Sequence, residues 1–209
     1  MKSKAYVFLA DGFEEIEAVA PADILRRSTK NVQLVALGDD LTVRSTHGVT
    51  LVADLRLEEF LQEYEADRQT PPDKTALVFP GGLPGATNLA SCAPLMQMAA
   101  RHFANGGLLC AICASPGTIL PVIDGLLRSQ GLEGINGRRF TCYPGCEEGP
   151  LACGASHEES PCVTDGLLIT ANGPGAAMEF GYAVTSALIS PAAADVLKMG
   201  MMYTDKKKQ

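Results

Sequence analysis

Short apolar runs alternate with longer amphipathic segments along this chain, a pattern typical of a parallel sheet covered by helices. The predicted strands are residues 5–10, 32–37, 75–79, 107–112 and 167–170. The predicted helices are residues 14–27, 57–64, 92–104, 114–122 and 175–189. We therefore predict an α/β fold with helices on both faces of the sheet, in one domain that covers residues 1–209.

Three segments fit neither period and are predicted to lie outside the helices and the sheet. Residues 68–74 contain two prolines, which interrupt helices and sheets alike, so this stretch predicts an exposed connection. Residues 143–160 are rich in Pro, Gly and Cys and predict a loop outside the sheet that overhangs a site. Residues 204–209 predict a short solvated tail.

Composition narrows the function classes. A hydrophobic content of 46% with 20% charged residues is enough to fill the core of one domain. The 24 acidic side chains exceed the 17 basic ones and give a formal charge of −7, which argues against nucleic acid as a partner. The apolar run at residues 5–10 is too short for a membrane span and leads into acidic residues. We expect neither a membrane anchor nor an export signal.

The seven cysteines, an odd number spaced irregularly between Cys92 and Cys162, predict free thiols in a reducing compartment, the cytoplasm. Cys142, Cys146 and Cys153 fall in loop-like sequence without the second matched pair typical of a structural zinc site. We therefore expect no bound metal.

The apolar run at residues 107–112 ends in Cys113, followed by the small residues Ala114 and Ser115 before a predicted helix. Reactive side chains gather at the carboxyl ends of strands in α/β sheets, and a helix start lowers the pKa of a thiol. Cys113 is thus a candidate nucleophile with a populated thiolate. A free cysteine also serves as a small core residue, and the local sequence leaves both readings open. Cys110 is predicted to lie in the core on the opposite strand face.

Four motifs together resemble one known family. Residues 111–116 read AICASP, and they are accompanied in order by ADGFEEIEAVAPADILRR at 10–27, FPGG at 79–82 and DGLLITANGPG at 165–175. In this the chain resembles the ThiJ/PfpI superfamily, in the branch of the parkinsonism-associated protein deglycase. The resemblance implies a flavodoxin-like three-layer sandwich, a homodimer, and cofactor-independent action on reactive dicarbonyls such as methylglyoxal or on their protein adducts.

The resemblance also implies site residues. It places the family's glutamate at Glu17, on an apolar helix face where desolvation would raise the carboxyl pKa and suit it to proton transfer. The local sequence alone favours a plain first-turn acid at this position. Glu14 and Glu15 are expected to reach water more easily. The resemblance further implies that the backbone amides of Gly82 and Ala114 hold an oxyanion that develops on a carbonyl substrate.

The chain departs from the family's pattern at its histidines. Ala114 follows the cysteine where peptidases of the superfamily have histidine, and Tyr143 stands where the deglycase branch often has histidine in a later loop. Tyr143 is therefore a possible auxiliary residue. His157 is predicted to be a solvated loop residue and His102 a helix-end residue near the C-terminal dipole.

These observations lead to one functional hypothesis and two alternatives. We expect a glyoxalase or protein deglycase in which Cys113 adds to an aldehyde carbon and Glu17 moves protons. The first alternative is a redox-sensing, stress-protective chaperone that uses oxidation of the same Cys113. The second is an intracellular cysteine peptidase, against which Ala114 argues because a peptidase needs an imidazole base.

Overall fold

The structure, a computed structural model, describes residues 3–67 and 69–204. In this part of the chain seven strands form one sheet, and two small two-stranded sheets lie outside it. The strands are β1 (Lys4–Leu9), β2 (Val32–Ala36), β3 (Thr42–Arg44), β4 (Thr50–Val52), β5 (Leu55–Arg56), β6 (Thr75–Phe79), β7 (Leu108–Ile112), β8 (Arg139–Phe140), β9 (Ser156–His157), β10 (Cys162–Asp165) and β11 (Leu168–Ala171).

The α-helices of the described residues cover both faces of the large sheet. They are α1 (Glu15–Ser28), α2 (Leu57–Ala66), α3 (Gly85–Ser91), α4 (Ala93–Ala104), α5 (Ser115–Ser129), α6 (Glu148–Ala152), α7 (Ala177–Leu188) and α8 (Pro191–Gly200). None of the helices in the described ranges carries an apolar stretch long enough to cross a bilayer.

The side-chain alternation of the strands divides the core into two layers. In β1, Ala5, Val7 and Leu9 belong to the layer beneath α1 and α7, while Tyr6 and Phe8 belong to the layer beneath α2, α4 and α5. Both faces of the inner strands are buried, which explains their continuous apolar sequences. The fold is a flavodoxin-like α/β sandwich, as the sequence predicts.

The strand order places a crevice at one end of the sheet. The large sheet has the order β10-β11-β7-β6-β1-β2-β5, and all of its pairs are parallel except β10 with β11. Among the inner strands this is the flavodoxin order, in which the first strand lies between the second and third. The chain leaves β1 toward one face and β6 toward the other, so their carboxyl ends open a cleft where ligands bind in such folds.

The sequence predicted all five inner strands to within two residues. It missed β10, α3 and α8 as well as the short strands, and it ended α5 too early. The predicted helix 114–122 stops near Pro121, whereas α5 continues through that proline to Ser129. Pro21 likewise lies inside a helix, because α1 runs without interruption over Glu15–Ser28.

The predicted irregular segments have mixed outcomes. Residues 69–74 form the expected connection, with a short 3-10 turn at Pro72–Lys74; Arg68 lies outside the described residues. The stretch 143–160 is more regular than predicted, because it contains α6 and β9. Thr204 is exposed, and residues 205–209 of the predicted tail lie outside the described part.

His102 lies in the last turn of α4, as predicted, and its ring is buried in the core. It is 1% exposed, with Nε2 3.1 Å from the Thr75 carbonyl and Nδ1 2.7 Å from the Tyr64 hydroxyl. Since a carbonyl only accepts, Nε2 donates and Nδ1 accepts from Tyr64. Burial lowers the pKa of His102 to about 4, so the ring is neutral at physiological pH.

We expect His102 to contribute to loss of stability in acid. The unfolded chain takes up a proton near pH 6.5, whereas the folded ring resists protonation until about pH 4. Stability should therefore fall by up to about 3 kcal/mol over this range from His102 alone. Urea unfolding of His102→Gln at pH 7, 5.5 and 4 should show a shallower loss than wild type. The exposed His47→Gln is the control; if its slope changes as much, the assignment is wrong.

Candidate active site

Cys113 lies just past the carboxyl end of β7 in a sharp turn. Its φ is +65°, a left-handed conformation that costs a non-glycine residue about 1–2 kcal/mol. Two backbone hydrogen bonds hold it: the Cys113 N–H donates to the Ala171 carbonyl at 2.8 Å, and the Tyr143 N–H donates to the Cys113 carbonyl at 2.8 Å. The turn aims the side chain at the cleft between β1 and β6, as in a nucleophile elbow.

The loop after β6 packs its backbone against this turn. A Cβ on Gly81 would lie 2.6 Å from Cys113 Cβ and 2.7 Å from Glu17 Oε2, so only glycine fits there. Gly82 has a φ of +83°, which glycine adopts without strain. The Ser115 hydroxyl donates to the Pro80 carbonyl at 2.5 Å and ties α5 to the same loop.

Glu17 lies on α1 and is fully buried. Its Oε2 accepts the Gly81 N–H at 2.8 Å, while its Oε1 has no hydrogen-bond partner within the described chain. Glu14 also differs from expectation, because it is 6% exposed rather than open to water. Its Oε2 accepts the Glu17 N–H at 2.8 Å and caps α1, which fixes the rotation of the helix that carries Glu17.

The electrostatics of the pair correct one prediction. Burial raises the pKa of Glu17 to about 7, and the neighbouring Cys113 side chain and the Gly81 amide oppose this shift. Burial and the Glu17 carboxylate raise the pKa of Cys113 to about 12, while the Gly82 and Ala114 amides lower it. The lowering of the Cys113 pKa by the amides was expected, but burial and the Glu17 carboxylate raise this pKa by more. The prediction that a helix start alone populates the thiolate is therefore wrong.

The two groups must instead be treated as one coupled site. Each negative charge raises the pKa of the other group, so the pair does not readily become doubly charged. A thiolate at Cys113 is compatible with this site while Glu17 holds a proton. The unpartnered Oε1 is the oxygen left for that proton, because Oε2 already accepts from Gly81.

The structure thus brings Cys113, Glu17, Gly82 and Ala114 together, although their catalytic roles remain predictions. Tyr143 is close through its backbone, but its side chain is 51% exposed. The role of Gly81 was not predicted from the sequence; its place in a Gly-Gly doublet after a buried strand was the available signal.

Cys110 is fully buried, as predicted. Strand alternation does not relate it to Cys113, because Cys113 lies beyond the end of β7.

His157 is also a correction, because it lies on β9 and is not a solvated loop residue. It is only partly exposed, its Nε2 is buried without a hydrogen-bond partner among the described residues, and its ring lies 5.4 Å from that of Phe140. His47 is exposed, and its Nδ1 lies 3.1 Å from Glu15 Oε1.

Fold and site together define a class: a flavodoxin-like protein with an elbow cysteine beside a buried carboxyl. The model of the DJ-1/PfpI family matches residues 3–187. Protein DJ-1 homolog B of Arabidopsis thaliana is 32% identical over 186 residues, which are 89% of this chain but 38% of that protein. The Parkinson disease protein 7 homolog of Danio rerio is 30% identical over 203 residues, which are 97% of this chain and 98% of that protein. The chain belongs to the DJ-1/PfpI family.

Solved structures agree with this assignment. A cysteine-to-alanine mutant of the DJ-1 superfamily protein STM1931 from Salmonella typhimurium superposes with a TM-score of 0.80 at 31% identity, covering 97% of this chain and all of that one. Oxidized Toxoplasma gondii DJ-1 gives 0.81 at 29% identity, with coverages of 97% and 100%. A further relative, the glutathione-independent glyoxalase DJR-1.2 of Caenorhabditis elegans, is 28% identical over 192 residues, covering 91% of this chain and 90% of that protein.

We expect Glu17 to give the protein a stability that decreases with rising pH. Its folded pKa lies above the value of 4.5 for a free carboxyl, so its stabilising contribution is complete below about pH 4.5 and is lost as the pH rises through about 7. The loss should reach about 3 kcal/mol. Because His102 acts in the opposite direction over part of this range, the quantity to measure by urea unfolding is the difference in free energy of unfolding between wild type and Glu17→Gln, which should change by this amount between pH 4.5 and 8. The difference between wild type and the exposed Glu133→Gln should stay constant with pH; a constant difference for Glu17→Gln would contradict the assignment.

Proposed function

We propose that this chain is a glyoxalase or protein deglycase that acts on methylglyoxal-type dicarbonyls, or on their adducts, through Cys113. The observation that carries the proposal is the pairing of an elbow cysteine with a buried carboxyl whose Oε1 has no other partner within the described chain. Family membership supports it, as does the glyoxalase named among the relatives. The steps use only this chain's groups and water.

The first step forms a bond between sulfur and carbon. With the shared proton on Glu17, the Cys113 thiolate attacks the aldehyde carbon, and the carbonyl electron pair moves onto oxygen. The amides of Gly82 and Ala114, which already act on the sulfur, donate to this oxyanion. Glu17 Oε1 then gives its proton to the oxygen, which leaves a neutral hemithioacetal and a carboxylate.

The remaining steps return the enzyme to its starting state. The Glu17 carboxylate removes the proton from the former aldehyde carbon and returns it to the neighbouring carbon. The proton of the hemithioacetal hydroxyl passes to the neighbouring carbonyl oxygen, so that this carbonyl becomes an alcohol and the former aldehyde carbon becomes a carbonyl. The product is a thioester on Cys113. Water cleaves the thioester, so methylglyoxal and water give lactate without net oxidation. A carboxyl pKa near 7 suits Glu17 to alternate between acid and base at physiological pH.

A second candidate function, redox sensing, rests on the same unpartnered oxygen. If peroxide oxidised Cys113 to a sulfinate, a protonated Glu17 Oε1 would donate to it and stabilise the oxidised form. A sensor should show oxidation at Cys113 ahead of the other six cysteines under mild peroxide, measured by mass spectrometry. Uniform oxidation would count against this candidate. We do not propose a peptidase, because Ala114 follows the cysteine.

The assembly and location belong to the same proposal. We propose a homodimer in a reducing compartment such as the cytoplasm. Apolar side chains on α1 and on the β3–β4 hairpin support a dimer, since Ile16, Val19 and Val52 are 52%, 45% and 67% exposed. No disulfide joins any of the seven cysteines, all of which lie within the described residues, and this fits a reducing environment.

We expect purified protein to convert methylglyoxal to lactate without glutathione. Cys113→Ser should abolish lactate formation, and Glu17→Gln should lower kcat/KM by about 10²-fold or more. Cys92→Ser, remote from the site between α3 and α4, is the control and should retain wild-type activity. Lactate itself should be measured, because buffer amines and thiols also consume methylglyoxal. Full activity of Cys113→Ser would reject the proposal.

A further inference from the structure

The segment that leaves the sheet after β8 and returns at β9 holds a group of side chains that the proposed reaction does not use. We call residues 141–157 the excursion. Its start and end are fixed to each other because β8 and β9 pair in parallel, with Arg139 opposite Ser156 and Phe140 opposite His157. Residues distant along the chain therefore meet inside the excursion.

Three potential metal ligands of different chemistry converge there. One ligand atom each from Cys142, Glu147 and His157 lies within 4.8 Å of the other two. The Cys142 side chain is 2% exposed, while Glu147 and His157 are partly exposed. In a tetrahedral zinc site ligand atoms lie roughly 3.3–3.6 Å apart. A contraction of about 1 Å would thus bring the three side chains to bonding distance.

An unpartnered nitrogen in the same cluster gives a second, independent indication. His157 Nε2 is buried and has no hydrogen-bond partner within the described residues. A buried polar atom left without a partner costs about 1–3 kcal/mol, so such atoms are uncommon in folded proteins. A metal ion would satisfy this cluster with a nitrogen, a sulfur and an oxygen ligand.

We propose that Cys142, Glu147 and His157 form a binding site for Zn²⁺, with one coordination position left for water or another ligand. Thiolate, imidazole and carboxylate together are a ligand set that suits zinc, whereas Mg²⁺ and Ca²⁺ prefer oxygen ligands alone. Three protein ligands with an open position are also what zinc sites that bind an exchangeable ligand contain.

The site would brace the excursion next to the nucleophile. Tyr143 follows Cys142 directly, and its N–H donates to the Cys113 carbonyl. Cys146, one residue before Glu147, packs on the first turn of α5, where its carbonyl oxygen would collide with a Cβ on Gly117. Zinc at Cys142 and Glu147 thus holds both ends of a short segment that contacts the elbow and the helix after it.

No metal was expected from the sequence, because it lacks a second cysteine pair of matching spacing. The third ligand is instead a histidine, which the β8–β9 pairing brings back to Cys142. A second group of possible ligands, Glu14, Glu15 and His47, is less suitable. It contains no thiolate, and its histidine, His47, is exposed with Nδ1 3.1 Å from Glu15 Oε1.

Zinc binding is tested on the full chain carrying Cys113→Ser, so that the candidate nucleophile cannot bind metal. Protein stripped with a chelator and kept reduced is titrated with Zn²⁺ against a chromophoric chelator. We expect one equivalent to bind, and Cys142→Ser, Glu147→Gln and His157→Gln each to weaken binding by about tenfold or more. Cys92→Ser, the matched cysteine control, should leave the Kd unchanged.

Two further measurements make the test decisive. Substitution with Co²⁺ should give the charge-transfer absorption of a thiolate-bound tetrahedral ion, which Cys142→Ser should lose. Zn²⁺ should raise the Tm of the Cys92→Ser control but not that of Glu147→Gln. Should Cys142→Ser fail to fold by circular dichroism, the partly exposed Glu147→Gln decides. Absence of stoichiometric zinc, or equal Kd values in control and ligand variants, overturns the proposal.

Discussion

The close contact of the Gly81 backbone with both Cys113 and Glu17 is the constraint on which the rest of the site depends. The Gly81 position has no room for a Cβ because the cysteine and the carboxyl approach it from two sides. Its amide occupies Glu17 Oε2 and so directs the other oxygen toward a place where the described chain offers no donor. The strand order contributes to this contact, since β6 and β7 are neighbours. The start of α1 is joined to the loop after β6, because the Glu14 N–H donates to the Gly81 carbonyl at 3.0 Å.

The burial that brings the Cys113 and Glu17 side chains together also reduces the stability of the fold when they are charged. Away from water, the carboxyl and the thiol retain one proton between them more readily than both become charged. The same protonation equilibrium therefore affects both the reactivity of Cys113 and the free energy of unfolding. The left-handed turn at Cys113 adds about 1–2 kcal/mol of backbone strain, which its two backbone hydrogen bonds of about 1 kcal/mol each roughly offset. The sequence around the elbow is thus organised for position rather than for local stability.

The sequence predicted the sheet well because buried parallel strands read as continuous apolar runs, and it predicted the elbow because Cys113 ends such a run. It missed α8, although Ser190 before Pro191 is a helix-start signal and the Ser190 hydroxyl indeed caps the helix. The Asp165–Gly166 turn likewise indicated the β10–β11 hairpin. Contacts between segments that are distant in the sequence cannot be predicted from a local pattern. Such contacts determine the pKa of Cys113, the burial of His102 and the cluster of Cys142, Glu147 and His157.

The carbonyl and amide of Cys113 are held by the main chain of Tyr143 and of Ala171, not by side chains. The sulfur therefore keeps its place when residues at the rim of the cleft are substituted. Such substitutions alone can change the substrate preference.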